Sequence, residues 1–247
     1  MLFRSMRWAA GLSGTGASTS PAQAARVINL SLGGSGSCTQ AYLDTLSELR
    51  AAKVVVVASA GNTYGGAVES PANCPGVVAV AGLRHSGSKV GYSSVGPEVA
   101  VAAPGGNCVN STGTCLYPIL TSSNTGTTTP VTHASGGSKY TGGGSDATLG
   151  TSFSAPQVSG VAALVLSVRP TLGSLAVGQL LRNTARTFPT TGGSSGISTC
   201  RAPGSTQQDE CYCTTSTCGA GMLDAAAAVA GANGLIPVID PGSGQPT

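Results

Sequence analysis

The sequence predicts an α/β fold with a mostly parallel central sheet. Three observations carry this: a strand–helix–strand run over residues 26–59, two further short β-branched strands before residue 107, and helical periods around and after them. Residues 4–12 read as a helix with an abrupt start, followed by a Gly/Ser/Thr loop. "RVINLSL" then reads as a strand, and "TQAYLDTLSELRAAK" sets Tyr42, Leu43, Leu46 and Leu49 at helical spacing. "VVVVAS" is a continuous β-branched run, the pattern of a strand buried on both faces. These three pieces form a βαβ unit, which predicts parallel pairing. "GVVAVAG" and "EVAVAAPGG" supply two more strands, and the Gly/Ser/Thr-rich residues 105–149 predict a hairpin around "LYPILTS" and "TTTPVTH". The helix after Ser152 is apolar almost all round (Val158, Val161, Ala162, Leu164, Val165), which predicts full burial, with Pro156 in its first turn. "SLAVGQLLRNTA" and "GMLDAAAAVA" give two last helices. With 247 residues and no internal repeat, the chain makes one domain over 1–232 and a linker-like tail over 233–247.

Composition narrows the class of function. Charged residues are 9% of the chain, against about 25% in an average domain. A net charge of +3, with lysines and arginines scattered, argues against nucleic acid as a partner. Apolar runs fall short of the ~18 residues that cross a bilayer, so no membrane partner is expected. Eight cysteines, an even number, predict an oxidising compartment and disulfides. Cys38 with Cys74 is a candidate long-range bridge, and Cys108 with Cys115 a candidate small loop. Cys200, Cys211, Cys213 and Cys218 cluster with their pairing open. Zinc is disfavoured, because "CYCTTSTC" lacks paired C-x-x-C spacing and no histidine lies near it. "MLFRSMRWAAGL" has no export signal, although the composition points outside the cell.

Two stretches lie where an α/β sheet places function, beyond the carboxyl ends of strands. "ASAGN" ends the valine-rich strand at Asn62, and "GTSFSAP" puts Ser152 at a helix N-terminus. There the free N–H groups and the helix dipole favour developing negative charge. Acyl transfer needs that arrangement of a hydroxyl nucleophile and donors aimed at an oxyanion, here the Ser152 N–H and the Asn62 amide. Taken singly, each stretch reads as an ordinary turn or helix cap.

Their order along the chain says more. "VINLSLGG", "VVVVASAGN", "SPANCPGVVAVAG", "YSSVGPEVAVAAPGG" and "GTSFSAPQVSGVAAL" resemble, in sequence, the consecutive blocks of subtilisin-like serine proteases. "RWAAGL" and "CGAGMLDAAAAV" look closest to the secreted, disulfide-bearing bacterial branch. The resemblance implies the three-layer subtilisin-like fold, truncated at its N-terminus. It also implies a catalytic role for Ser152 as nucleophile and Asn62 as oxyanion donor. Substrate binding falls to Ser31, Leu32 and Gly33 on one side and Ser59, Ala60 and Gly61 on the other, with an extended peptide added as a strand. It implies polypeptide substrates, a secreted protein that is a monomer when complete, and no identifiable cofactor or metal ligand, with structural calcium expected by resemblance alone. Phe153 and Gln157 stand where relatives vary, and the pocket floor is unidentified.

The family's aspartate block, D-[ST]-G, and its histidine block, H-G-T-H, are both missing. His85 and His133 lie in loops and match neither. In subtilisin itself, losing the histidine costs on the order of 10⁶ in turnover, and the oxyanion hole with binding retains ~10³–10⁴ over water. The chain alone is therefore expected to be inactive: the nucleophile-bearing part of a longer secreted endopeptidase, with an open sheet edge and poor solubility. Two alternatives are a non-catalytic protein that binds extended peptides on a degenerate protease fold, and an esterase-like acyl transferase with another base.

Overall fold

A computed structural model describes residues 2–16, 21–107, 117–141 and 148–235. In chain order its elements are α1 (Leu2–Ala9), β1 (Val27–Leu30), α2 (Gln40–Ala51), β2 (Val55–Ser59), β3 (Val78–Leu83), β4 (Val99–Pro104), β5 (Thr121–Asn124), β6 (Ser138–Thr141), α3 (Thr151–Val168), α4 (Ser174–Asn183) and α5 (Ala225–Ala230). β1 to β4 form one sheet in that order, every neighbour parallel. The alternation of side chains along each strand divides the core into two layers. Val56, Ala58, Ala79 and Ala81 meet Met6, Leu46 and Leu49 from α1 and α2. Val55, Val57, Val78 and Val80 meet Val158, Val161, Val165 and Leu181 from α3 and α4. Helices therefore cover both faces, which is why these strands are valine runs instead of alternating sequences.

Three expectations shift. β5 pairs antiparallel with β6, Thr121 opposite Thr141, so the second hairpin strand falls later than "TTTPVTH". Asn124 explains the displacement: its Oδ1 accepts from Val131 N–H at 2.9 Å and its Nδ2 donates to Val131 O at 2.8 Å. That captured backbone is unavailable to a ladder, and Pro130 offers no N–H of its own. Pro156 lies one turn deeper in α3 than the first turn. α3 is not buried all round: Leu164 is 52% and Val168 38% exposed, on the face turned from the sheet. α3 is also long and apolar enough to cross a bilayer by length and composition, yet half of it is buried in the core.

Three disulfides join described cysteines: Cys38–Cys74, Cys200–Cys211 and Cys213–Cys218. Cys108 and Cys115 lie outside the described residues.

Candidate active site

Ser152 is the second residue of α3, beyond the carboxyl ends of β1 to β4. The helix begins after Gly150, whose φ of 134° is open only to glycine, and whose N–H is held by Tyr92 Oη at 2.9 Å. Tyr92 Oη in turn donates to Gly105 O, and burial pushes its phenol pKa up, against the Gly150 hydrogen bond. Ser154 Oγ and Gln157 Nε2 both donate to Pro104 O, which fastens the first two turns of α3 to the end of β4. Pro156 has no N–H, so the Ser152 carbonyl four residues back lacks its helical donor. Ser31 Oγ fills that place at 2.6 Å, and Ser152 Oγ donates back to Ser31 O at 3.4 Å. The helix breaker and the wall serine are thereby one device that locates the hydroxyl.

Asn62 stands across from Ser152. Its Oδ1 accepts from Thr151 N–H and from Thr151 Oγ1, both at 3.0 Å. This leaves Nδ2 turned away from Thr151, with no partner among the described residues. Nδ2 and the Ser152 N–H border the same space: a β-carbon on Gly150 would lie 3.5 Å from the one and 3.7 Å from the other. Glycine keeps that space empty. Two unsatisfied donors therefore face one void beside a hydroxyl at a helix N-terminus, a geometry suited to an anion. Thr151 was not singled out from the sequence; a buried threonine between Gly150 and Ser152 carries no pattern of its own.

The six residues that the resemblance assigns to substrate binding lie at the ends of two paired neighbours, β1 and β2. Ser31, Leu32 and Gly33 continue β1 past its last paired residue and are exposed, Leu32 by 45%. Ser59, Ala60 and Gly61 end β2 and are buried. Between the walls runs the segment Glu69–Ser70, which sequence reading missed. Glu69 N–H donates to Ala60 O at 2.9 Å, while Ser70 exchanges hydrogen bonds with Gly34, 3.0 Å from its N–H and 2.9 Å to its carbonyl. It thus bridges the two walls and closes the space beneath them. The Cys38–Cys74 disulfide and the Asn73 Nδ2 bond to Gly36 O, 2.8 Å, clamp this floor to the first wall.

A family model for the subtilase family, peptidase S8, matches residues 3–235. The chain belongs to the subtilase family. An extracellular protease of Xanthomonas campestris pv. campestris is 38% identical over 229 residues, 91% of this chain and 32% of that protein. Subtilisin DY of Bacillus licheniformis is 36% identical over 163 residues, 64% of this chain and 49% of that protein. Among solved structures, a protease from Pseudoalteromonas arctica PAMC 21717 is 34% identical with a TM-score of 0.73, covering 94% of this chain and 58% of that one. The chain thus spans about a third of the Xanthomonas relative's length.

In this subtilase chain neither histidine stands at the serine. His85 is exposed with its ring 4.9 Å from that of Tyr117, and His133 Nδ1 is 3.0 Å from Ser138 Oγ. The described contacts of Ser152 Oγ hold no imidazole or carboxylate; its hydrogen-bond partner is Ser31 O. Among the described residues, the one cluster of metal-ligating side chains is Cys200, Cys213 and Cys218, whose sulfurs are closed in disulfides. A cage of carbonyls does exist, and a lysine fills it. Buried Lys89 directs Nζ at the carbonyls of Val90, Gly91, Ser93 and Gln208. Burial pushes its pKa down to about 7, with Asp209 pulling the other way.

Proposed function

We propose that these residues form the nucleophile half of a secreted serine endopeptidase that cleaves polypeptides through an acyl-enzyme. The observation that carries this is the convergence of two free donors, Asn62 Nδ2 and Ser152 N–H, on one empty space beside the Ser152 hydroxyl. An extended peptide adds its backbone to the open Ser31–Gly33 segment, with one side chain entering between the walls. Ser152 Oγ attacks the carbonyl carbon, and the carbonyl oxygen, now an anion, takes hydrogen bonds from the two donors. The amine leaves with a proton, and water then attacks the ester to release the acid and restore the hydroxyl. A hydroxyl needs a base for the first step, and neither His85 nor His133 is placed to act. The imidazole and its carboxylate therefore come from outside these 247 residues. Relatives named as extracellular proteases support export, as do three disulfides.

Hydrolysis of a chromogenic peptide anilide tests the assignment. The native protein should hydrolyse it, and Ser152→Ala should remove at least about 10⁵ of kcat. The 247 residues alone should stay within ~10³–10⁴ of the water rate. Native activity that survives Ser152→Ala contradicts the reading.

A further inference from the structure

We propose that Glu69 selects peptides with lysine or arginine on the acyl side of the cut bond, an inference that rests on the protease reading above. Both walls lack a side chain where they face this residue. A β-carbon on Gly61 would lie 2.5 Å from Glu69 Oε2 and 2.8 Å from both Cγ and Cδ. One on Gly33 would lie 3.5 Å from Glu69 Cβ and 3.6 Å from Oε2. The carboxylate therefore occupies the gap between the walls, and the glycines leave room for it. Gly61 also has φ 112°, so no other residue sits there without strain.

The backbone fixes this placement through the Glu69 N–H bond to Ala60 O and an Asn73 N–H bond to Glu69 O, 3.1 Å. The carboxylate itself is unused. No described ion pair includes it, and no described side chain or backbone donor reaches it. The wall residues Ser31, Leu32, Gly33, Ser59, Ala60 and Gly61 bring no cation. For a half-buried carboxylate with no partner in the protein, the most favourable complement is a charged donor. Lysine and arginine fit the pocket along their length: the methylene stem lies against glycine, alanine and leucine, and the head reaches the acid. A neutral aliphatic chain of the same length would cover the carboxylate without pairing it, and an acidic one would repel it. The small wall residues alone would give a generic apolar slot; the floor makes it a cation slot.

Direct binding separates this proposal from the catalytic one. Labelled peptides of one sequence, ending as free acids in arginine, lysine, norleucine or glutamate, are titrated onto the 247-residue chain. The free carboxylate occupies the anion site and the last side chain the pocket. The arginine and lysine peptides should bind at least about tenfold tighter than norleucine, with glutamate weakest. Glu69→Gln should bring arginine, lysine and norleucine within about twofold of one another. Asn62→Ala should weaken all of them alike. Equal binding of arginine and norleucine by the unaltered chain overturns the role of Glu69 and leaves the protease reading standing. Binding of none by a chain with native helical circular dichroism overturns both. Should the chain not stay in solution, cut positions left in a denatured substrate by the native protein decide. Cuts after lysine and arginine, lost in Glu69→Gln, support the proposal, and cuts spread over apolar residues overturn it.

Discussion

Thr151 and Asn62 hold each other through two bonds, both into Asn62 Oδ1, and Thr151 Oγ1 also lies 3.2 Å from Gly61 O. An amide group is useful as an anion donor only if its nitrogen points the right way, and Thr151 decides that. Thr151→Ala removes the hydroxyl bond and loosens the amide. In the native protein we expect kcat to fall about 10- to 100-fold with KM nearly unchanged, and Thr151→Ser to restore it. Steady-state kinetics of the two variants check this, and an unchanged kcat in Thr151→Ala would contradict it. Ser152 and Asn62 were legible because each stands at a recognisable junction, a helix start and a strand end. Thr151 and Glu69 were not. Their roles depend on which side chain turns toward which glycine, and the linear sequence "GNTYGGAVESP" carries no sign that its glutamate folds back onto its first glycine.

The pocket is made from the ends of elements, so its stability depends on what ties those ends together. The extension of β1 and the Glu69–Ser70 segment share one antiparallel bridge, Gly34 to Ser70, and one disulfide across a separation of 36 residues. By the loop-entropy relation, a link of that span contributes about 3–4 kcal/mol. Replacing Cys38 and Cys74 together by alanine should lower the unfolding free energy by about that amount, read by urea denaturation. It should also weaken the preference for arginine over norleucine, since the floor would no longer be held to the wall. Loss of stability without loss of preference would place the disulfide outside the site. The four sheet strands and the helices were legible from β-branched runs and helical periods. The second hairpin strand was not, because a single side chain, Asn124, redirected the backbone there. The depth of Pro156 was misjudged for a related reason: α3 starts at Thr151, one residue before the nucleophile.

Across the whole molecule, the parallel order β1 to β4 brings every candidate residue to one end of the sheet, as the βαβ reading required. β1 is an edge strand whose Asn29 side chain reaches Ser159 Oγ on α3 at 3.1 Å, and beside it α3 exposes Leu164. The open edge reaches Ser152 through Ser31, on a side where the described residues supply no base. The proposed chemistry therefore depends on Asn62 and the start of α3 forming an anion cradle over Ser152. A structure of the chain soaked with a peptidyl boronate, which bonds to a serine hydroxyl and presents tetrahedral oxygens, tests it most directly. Boron is expected on Ser152 Oγ, with one oxygen about 2.7–3.1 Å from both Asn62 Nδ2 and Ser152 N. A boronate bound with Asn62 turned away and its oxygens in solvent would contradict it.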